Sequence, residues 1–216
     1  MPDPPSASCF TSAVKETRSP ERFVPSVLGI KSWRERMPTC AEARPTTCPC
    51  CKAAGQPVGA LLVIVGHGLV ERQVLGPQTA AGPAEATVMK LRRYRCRACG
   101  AVLVVGPRGL VARRLYGAGA IALAFAAYGH GATDIATRAQ TSPWQKVGGS
   151  STERWVTLVR WVEAARRGEL FAVTGLGELD RRSVAKQVVL VLAARGGRRL
   201  GEDLTESAFE GAAIAA

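Results

Sequence analysis

The sequence predicts an α+β chain, a small antiparallel metal-pinned sheet followed by a helical domain. Three observations carry that prediction. Two Cys-x-x-Cys turns, Cys48/Cys51 and Cys96/Cys99, bracket a run of β-branched segments. Beyond Pro107-Arg108-Gly109 the apolar pattern changes from strand-like to helical. Residues 46–117 hold ten basic side chains against two acidic ones, so the module with the cysteines is strongly cationic.

The cysteines come first because their spacing implies chemistry. A Cys-x-x-Cys turn lets two thiolates converge on one ion, and two such turns supply the four sulfurs of a closed tetrahedral zinc site. Pro49 stiffens the first turn, and Gly100 lets the backbone double back after the second. Cys48, Cys51, Cys96 and Cys99 are therefore the expected ligands and Zn2+ the expected cofactor. Cys50, inside the first pair, is a spare thiol able to take a neighbour's place, and the gap between the pairs is longer than in compact zinc motifs. The alternative is a set of cysteines packed as small hydrophobes without a metal. A thioredoxin-like redox motif would need a βαβ pattern around it, which the sequence lacks. Cys9 and Cys40 have no partner at metal spacing and read as free thiols.

Composition bounds the rest. A chain of 216 residues, 47% hydrophobic, is long enough for one or two small domains but not for a large enzyme core. No apolar run is long enough to span a bilayer; the longest, Gly117 to Tyr128, stops at Gly129-His130-Gly131. The first residues lack a charged stretch followed by an apolar block, so no secretory signal is expected. Paired Cys-x-x-Cys turns suit a reducing cytosol, and the expected location is cytoplasmic, with no membrane partner. The 29 Lys and Arg against 17 Asp and Glu give a net charge of +12. A basic stripe is the usual footprint of a polyanion partner, since each neutralised phosphate releases a counterion. The other reading is a solvated basic surface kept for solubility.

In chain order, residues 1–45 are rich in Pro, Ser, Thr and Arg and are expected to be a disordered or loosely attached arm. Within it Ser26 to Trp33 is a short apolar segment that could dock. Residues 46–115 form the expected zinc ribbon. Its strands are Pro57–Val65, Leu69–Leu75, Thr87–Tyr94 and Ala101–Val105, with Gly66-His67-Gly68 as a turn and Gly76–Pro83 as a loop. His67 reads as a turn residue, four cysteines being already available. Residues 116–170 read as a helical domain: Ala118–Tyr128, a short helix over Thr133–Ala139, and a helix opened by the capping box Ser150-Ser151-Thr152-Glu153. In that last helix Trp155, Leu158, Val159 and Val162 mark a buried face, with Thr157, Arg160, Ala164 and Arg167 opposite. Trp155 and Trp161 are expected in the core. Residues 171–216 carry a helix over Leu179–Arg195, which covers the core or forms a homo-oligomer interface, and a frayed Ala-rich tail from Gly201.

A short helix followed by a capped helix with Thr and Arg on its outer face is what a helix-turn-helix reader needs, its second helix entering the major groove. The expected contacts with double-stranded DNA are Ser151, Thr152, Arg154, Thr157 and Arg160, with Arg92, Arg93, Arg95 and Arg97 from the ribbon. A plain three-helix bundle gives the same pattern, and the connection Gln140–Gly149 is longer than a standard helix-turn-helix turn.

The order of the pieces, a Cys-Pro-x-Cys ribbon, then Arg93-Tyr94-Arg95-Cys96-Arg97-Ala98-Cys99-Gly100, then a helix-turn-helix-like region, resembles the DNA-binding front end of bacterial insertion-sequence transposases. It is also similar to stand-alone zinc-ribbon proteins carried with such elements. The resemblance covers roughly residues 45–170 and implies binding to element-end DNA. Transposases of that kind carry a catalytic core with an acidic triad. The 46 residues after residue 170 are too few for one, and Asp134, Asp180 and Asp203 share no strand framework. The expectation is a non-enzyme whose chemistry, if the element moves, comes from a separate catalytic transposase subunit. The alternatives are a zinc-ribbon scaffold for protein–protein contact, a transcriptional regulator, or a small metal-dependent nuclease; the last conflicts with a four-thiolate site that has no open position.

Overall fold

The computed structural model describes residues 22–144, 154–197 and 203–216. Its strands are β1 (Arg22–Gly29), β2 (Ile64–Gly76), β3 (Glu85–Cys96) and β4 (Val102–Arg108), joined in one sheet in the order β1-β4-β3-β2. The helices are α1 (Ile30–Glu35), α2 (Ala118–Gly129), α3 (Asp134–Thr141), α4 (Val156–Arg166), α5 (Arg181–Arg195) and α6 (Leu204–Ala215). The architecture is mixed α+β, with the sheet preceding most of the helices.

The sheet is a β2-β3-β4 antiparallel meander with β1 added in parallel against β4, Phe23 opposite Val104 and Val24 opposite Val105. Sequence reading put residues 22–45 in a loose arm; instead they are tied to the sheet. Trp33 is buried and its Nε1 donates to the Lys90 carbonyl at 2.9 Å, while Arg92 Nε donates to the Pro38 carbonyl at 2.9 Å. One buried indole and these hydrogen bonds hold a segment whose composition alone reads as disordered.

Two expected strands are one. β2 runs continuously from Ile64 to Gly76, and the expected turn at Gly66-His67-Gly68 is a bulge within it, where the register with β3 shifts between Gly66 and Leu69. Gly68 takes φ 93°, which favours glycine, and a Cβ on Gly66 would fall 2.6 Å from Cys40 Sγ and force that thiol to move. Residues 57–63, expected to begin the first strand, lie outside the sheet.

The buried apolar residues fall into two clusters. One packs the sheet with Trp33, Ile64, Leu91, Tyr94, Leu103 and the sulfur-bearing Cys48 and Cys96. The other packs α2, α4, α5 and α6 around Ile121, Phe125, Trp161, Val188 and Leu192. They meet at Leu75 of β2, whose N–H donates to the Leu115 carbonyl at 2.8 Å and whose carbonyl accepts from Gly117 N–H at 3.2 Å. Arg72 secures the same junction. Its guanidinium donates to the Val111 and Arg114 carbonyls and lies over the Phe23 ring.

Three helical expectations change. α4 begins at Val156 with Trp155 as its N-cap, and the Trp155 N–H donates to Asp134 Oδ2 at 2.8 Å, so a carboxylate of α3 fixes its start. The expected capping box at Ser150–Glu153 lies outside the described residues. Ala164, expected on the outer face, is buried, while Trp155 and Trp161 sit in the core as expected, stacked edge-to-face at 5.2 Å. The tail from Gly201, read as frayed, contains α6, packed on α5 and α2. Its small residues are what permit this: a Cβ on Gly211 would collide with the Leu192 carbonyl, and one on Gly119 with the Phe209 ring. Close approach of backbones replaces large apolar side chains, so the amphipathic signal is weak. Among the described residues no helix is long and apolar enough to cross a membrane.

Candidate metal centre

Each cysteine pair is built into a turn of the same design. In the first, Cys48 N–H donates to the Ala53 carbonyl and Lys52 N–H to the Cys48 carbonyl, both at 2.9 Å. In the second, Cys96 N–H donates to the Ala101 carbonyl at 2.9 Å and Gly100 N–H to the Cys96 carbonyl at 2.8 Å. The residue after each second cysteine is left-handed, Lys52 at φ 63° and Gly100 at φ 72°. Glycine adopts that conformation without strain, whereas Lys52 carries a Cβ cost of the order of 1 kcal/mol that the surrounding hydrogen bonds must offset. The second turn is tied to the chain entering β2 through Arg97 N–H, which donates to the Val63 carbonyl at 2.8 Å.

The turns bring four sulfurs together. The Sγ atoms of Cys48, Cys51, Cys96 and Cys99 all lie within 4.8 Å of one another, with Cys48–Cys99 at 3.8 Å and Cys51–Cys96 at 3.7 Å. Four thiolates about 2.3 Å from a common ion at tetrahedral corners stand about 3.8 Å apart. The two closest pairs already meet that spacing, and the set can hold a metal ion. Cys48 and Cys96 are buried while Cys51 and Cys99 are exposed, so the site is half sunk into the sheet cluster. Cys50, the spare thiol of the sequence, is exposed and stands outside the four; His67 is exposed in the bulge and contributes no ligand atom.

The turns also tune the sulfurs. Burial pushes the Cys48 thiol up, but the amides of Cys51 and Cys50, together with the Cys96 and Cys51 thiols, outweigh it and bring it down to about 7. At Cys51 the Ala53 amide acts downward, yet burial and the Cys99 and Cys48 sulfurs leave the thiol raised; Cys99 is raised in the same way against the Ala101 amide. The thiols hydrogen-bond to one another, and a thiol that coordinates a divalent cation gives up its proton, which is why such a cluster suits a metal.

The expected DNA-contacting residues divide. Arg95 and Arg97 are exposed beside the second turn. Arg92 and Arg93 are half-buried, and Arg92 is engaged by the Pro38 carbonyl. Arg154 and Arg160 are exposed and Thr157 half-buried at the start of α4, which belongs to the helical cluster; Ser151 and Thr152 lie outside the described residues. The metal turns belong to the sheet cluster instead. The sequence reading missed Lys52, exposed in the first turn at the position Gly100 holds in the second. The signal was its place directly after Cys51. No carboxylate among the described residues pairs with Lys52, Arg95 or Arg97. Away from the metal site, a cleft of about 730 Å³ between the 77–84 loop and α2 is lined mostly by Ala and Pro, with His130 at its edge.

No family model, curated protein or solved structure matches the chain.

Proposed function

We propose that the chain is a zinc-dependent, cytoplasmic DNA-binding protein of a bacterial mobile element, a zinc ribbon with a helix-turn-helix-like helical domain and without a catalytic core. The observation that carries this reading is the conjunction at one end of the sheet of four sulfurs within 4.8 Å of one another with three exposed cations that have no carboxylate partner among the described residues. Sulfur-only ligation favours zinc over harder cations, and four thiolates close the coordination sphere, which suits a structural rather than catalytic ion. Loaded with a divalent ion the cluster carries two negative charges. The ten basic against two acidic side chains over residues 46–117 outweigh these, so the module stays attractive to phosphate.

In this reading Cys48, Cys51, Cys96 and Cys99 hold zinc, Lys52, Arg95 and Arg97 meet the phosphate backbone, and Arg154, just ahead of α4, with Thr157 and Arg160 of α4, offers the surface for base edges. Arg92 and Arg93 act from behind, Arg92 by fixing the 36–40 segment to the sheet. A separate transposase subunit supplies catalysis where the element moves.

The test is selection from random duplex DNA by zinc-loaded protein at low and near-physiological salt. An enriched motif that survives the higher salt is expected. Retention only at low salt, with no motif, would bring the protein-scaffold alternative forward.

A further inference from the structure

We infer that the loop between the two metal turns is an apolar wedge that enters the minor groove of DNA and bends it; this rests on the DNA-binding reading above. Val58 is fully exposed and Leu61 is 82% exposed, which makes them, with Val27, the most exposed large apolar side chains among the described residues. Exposed aliphatic side chains on a loop tip lose hydrophobic free energy unless something covers them. No charged side chain occurs in residues 53–66.

The loop is held at its neck. The Gly55 carbonyl accepts from Val63 N–H at 3.0 Å and from Ile64 N–H at 3.1 Å, and Gly55 N–H donates to the Thr46 carbonyl at 2.7 Å. At the tip Ala60 N–H donates to the Pro57 carbonyl at 3.3 Å, and Gly59 takes φ 70°. One root continues from the first metal turn, with Thr47 and Ala54 bridged as in a sheet; the other meets the second turn through Arg97 N–H. The metal turns therefore clamp both roots, and Lys52 and Arg97 flank them. An apolar tip on a hydrogen-bonded neck, with cations at its roots, has the design of a minor-groove wedge, whose aliphatic side chains part a base step while cations hold the backbone. A lipid surface also takes aliphatic side chains beside cations. Two such side chains on a short closed loop are too small a contact to hold a protein on a bilayer, whereas a base step accepts a single wedge.

The experiment uses the zinc-loaded full chain on a duplex with central TA and CA/TG steps, labelled at its ends for energy transfer. Wild type is expected to bend the duplex by some tens of degrees. The V58S/L61S variant is expected to keep its zinc and its salt slope, lose the bend, and bind about tenfold more weakly. The K52Q/R95Q/R97Q variant should flatten the salt slope by about three units. Equal bending by V58S/L61S, or salt-dependent binding by wild type without a bend, overturns the wedge and leaves the DNA reading standing. Capture of wild type but not V58S/L61S on phosphatidylserine vesicles, without a bend, overturns it in favour of a lipid surface. Failure of wild type to bind any duplex removes the DNA reading and the wedge with it.

Discussion

Cys96→Ser is the perturbation whose size follows most directly from the structure. Cys96 is fully buried, its Sγ stands 3.7 Å from that of Cys51, and its own N–H and carbonyl close the second metal turn. A structural zinc site contributes about 10–16 kcal/mol to folding, comparable with the whole stability of a small domain at about 5–15 kcal/mol. Serine removes the thiolate and leaves a buried hydroxyl that costs about 1–3 kcal/mol more if unpaired. The metal turns and the neck of the 55–63 loop should therefore unfold. α5 and α6 should persist, because Val188, Leu192 and Ala208 belong to the other cluster. The assay is elemental analysis of freshly purified reduced protein combined with amide exchange. Near-stoichiometric zinc is expected in wild type and none in the variant, with protection lost around Cys48 and Cys96 and kept in α5. Cys50→Ser should change neither quantity. Zinc and protection surviving Cys96→Ser, or vanishing on Cys50→Ser, would refute the ligand assignment.

Two predictions concern the helical half. Gly211→Ala places a methyl group against the Leu192 carbonyl and should force α6 off α5, costing about 3 kcal/mol, read as a lowered denaturation midpoint with α2 peptides becoming exchange-labile. Asp180 caps α5, and its carboxyl is held below the ordinary 3.8 by the Ser183 hydroxyl and then by the Ser183 and Arg182 amides. A depressed carboxyl stabilises the fold above its unfolded value and loses that contribution as pH falls through the lower folded value. Asp180→Asn should remove that part of the acid limb of a stability–pH curve while preserving the cap; an unchanged acid limb would mean that ionisation of Asp180 contributes nothing.

The four-sulfur cluster was legible because ligand chemistry is local: two residues between thiols is a backbone-geometry requirement that survives in any fold. β3 and the helix from Arg181 were legible because alternation or helical spacing marks their buried residues, and β4 and the helix from Ala118 because continuous apolar runs mark elements buried nearly all round. β1 was not, because its stabilisation comes from pairing with β4 far along the chain and from Trp33 reaching Lys90. Nothing within residues 22–35 announces those partners. α6 was missed because glycine and alanine bind by backbone proximity, which apolar periodicity does not register. At the site, Lys52 escaped notice because a left-handed lysine is chosen by the turn's geometry and not by its neighbours. The half-buried state of Arg92 and Arg93 depends on the 36–40 segment folding over them, a tertiary fact.

The parallel seam between β1 and β4 has a consequence for the order of folding. β2, β3 and β4 are sequential neighbours joined by short connections, and all four thiols are available once Cys99 has been synthesised. β1 is made first yet must wait for Val105 before it can pair, closing a loop of most of the sheet's own length. Long-range closure of this kind is slow relative to hairpin formation. The meander is therefore expected to form first with one open edge, and the amino-terminal strand to zip on last. By the same ordering that strand is expected to peel away first, so that gathering the four sulfurs and protecting the sheet edge become separate events in the life of the chain.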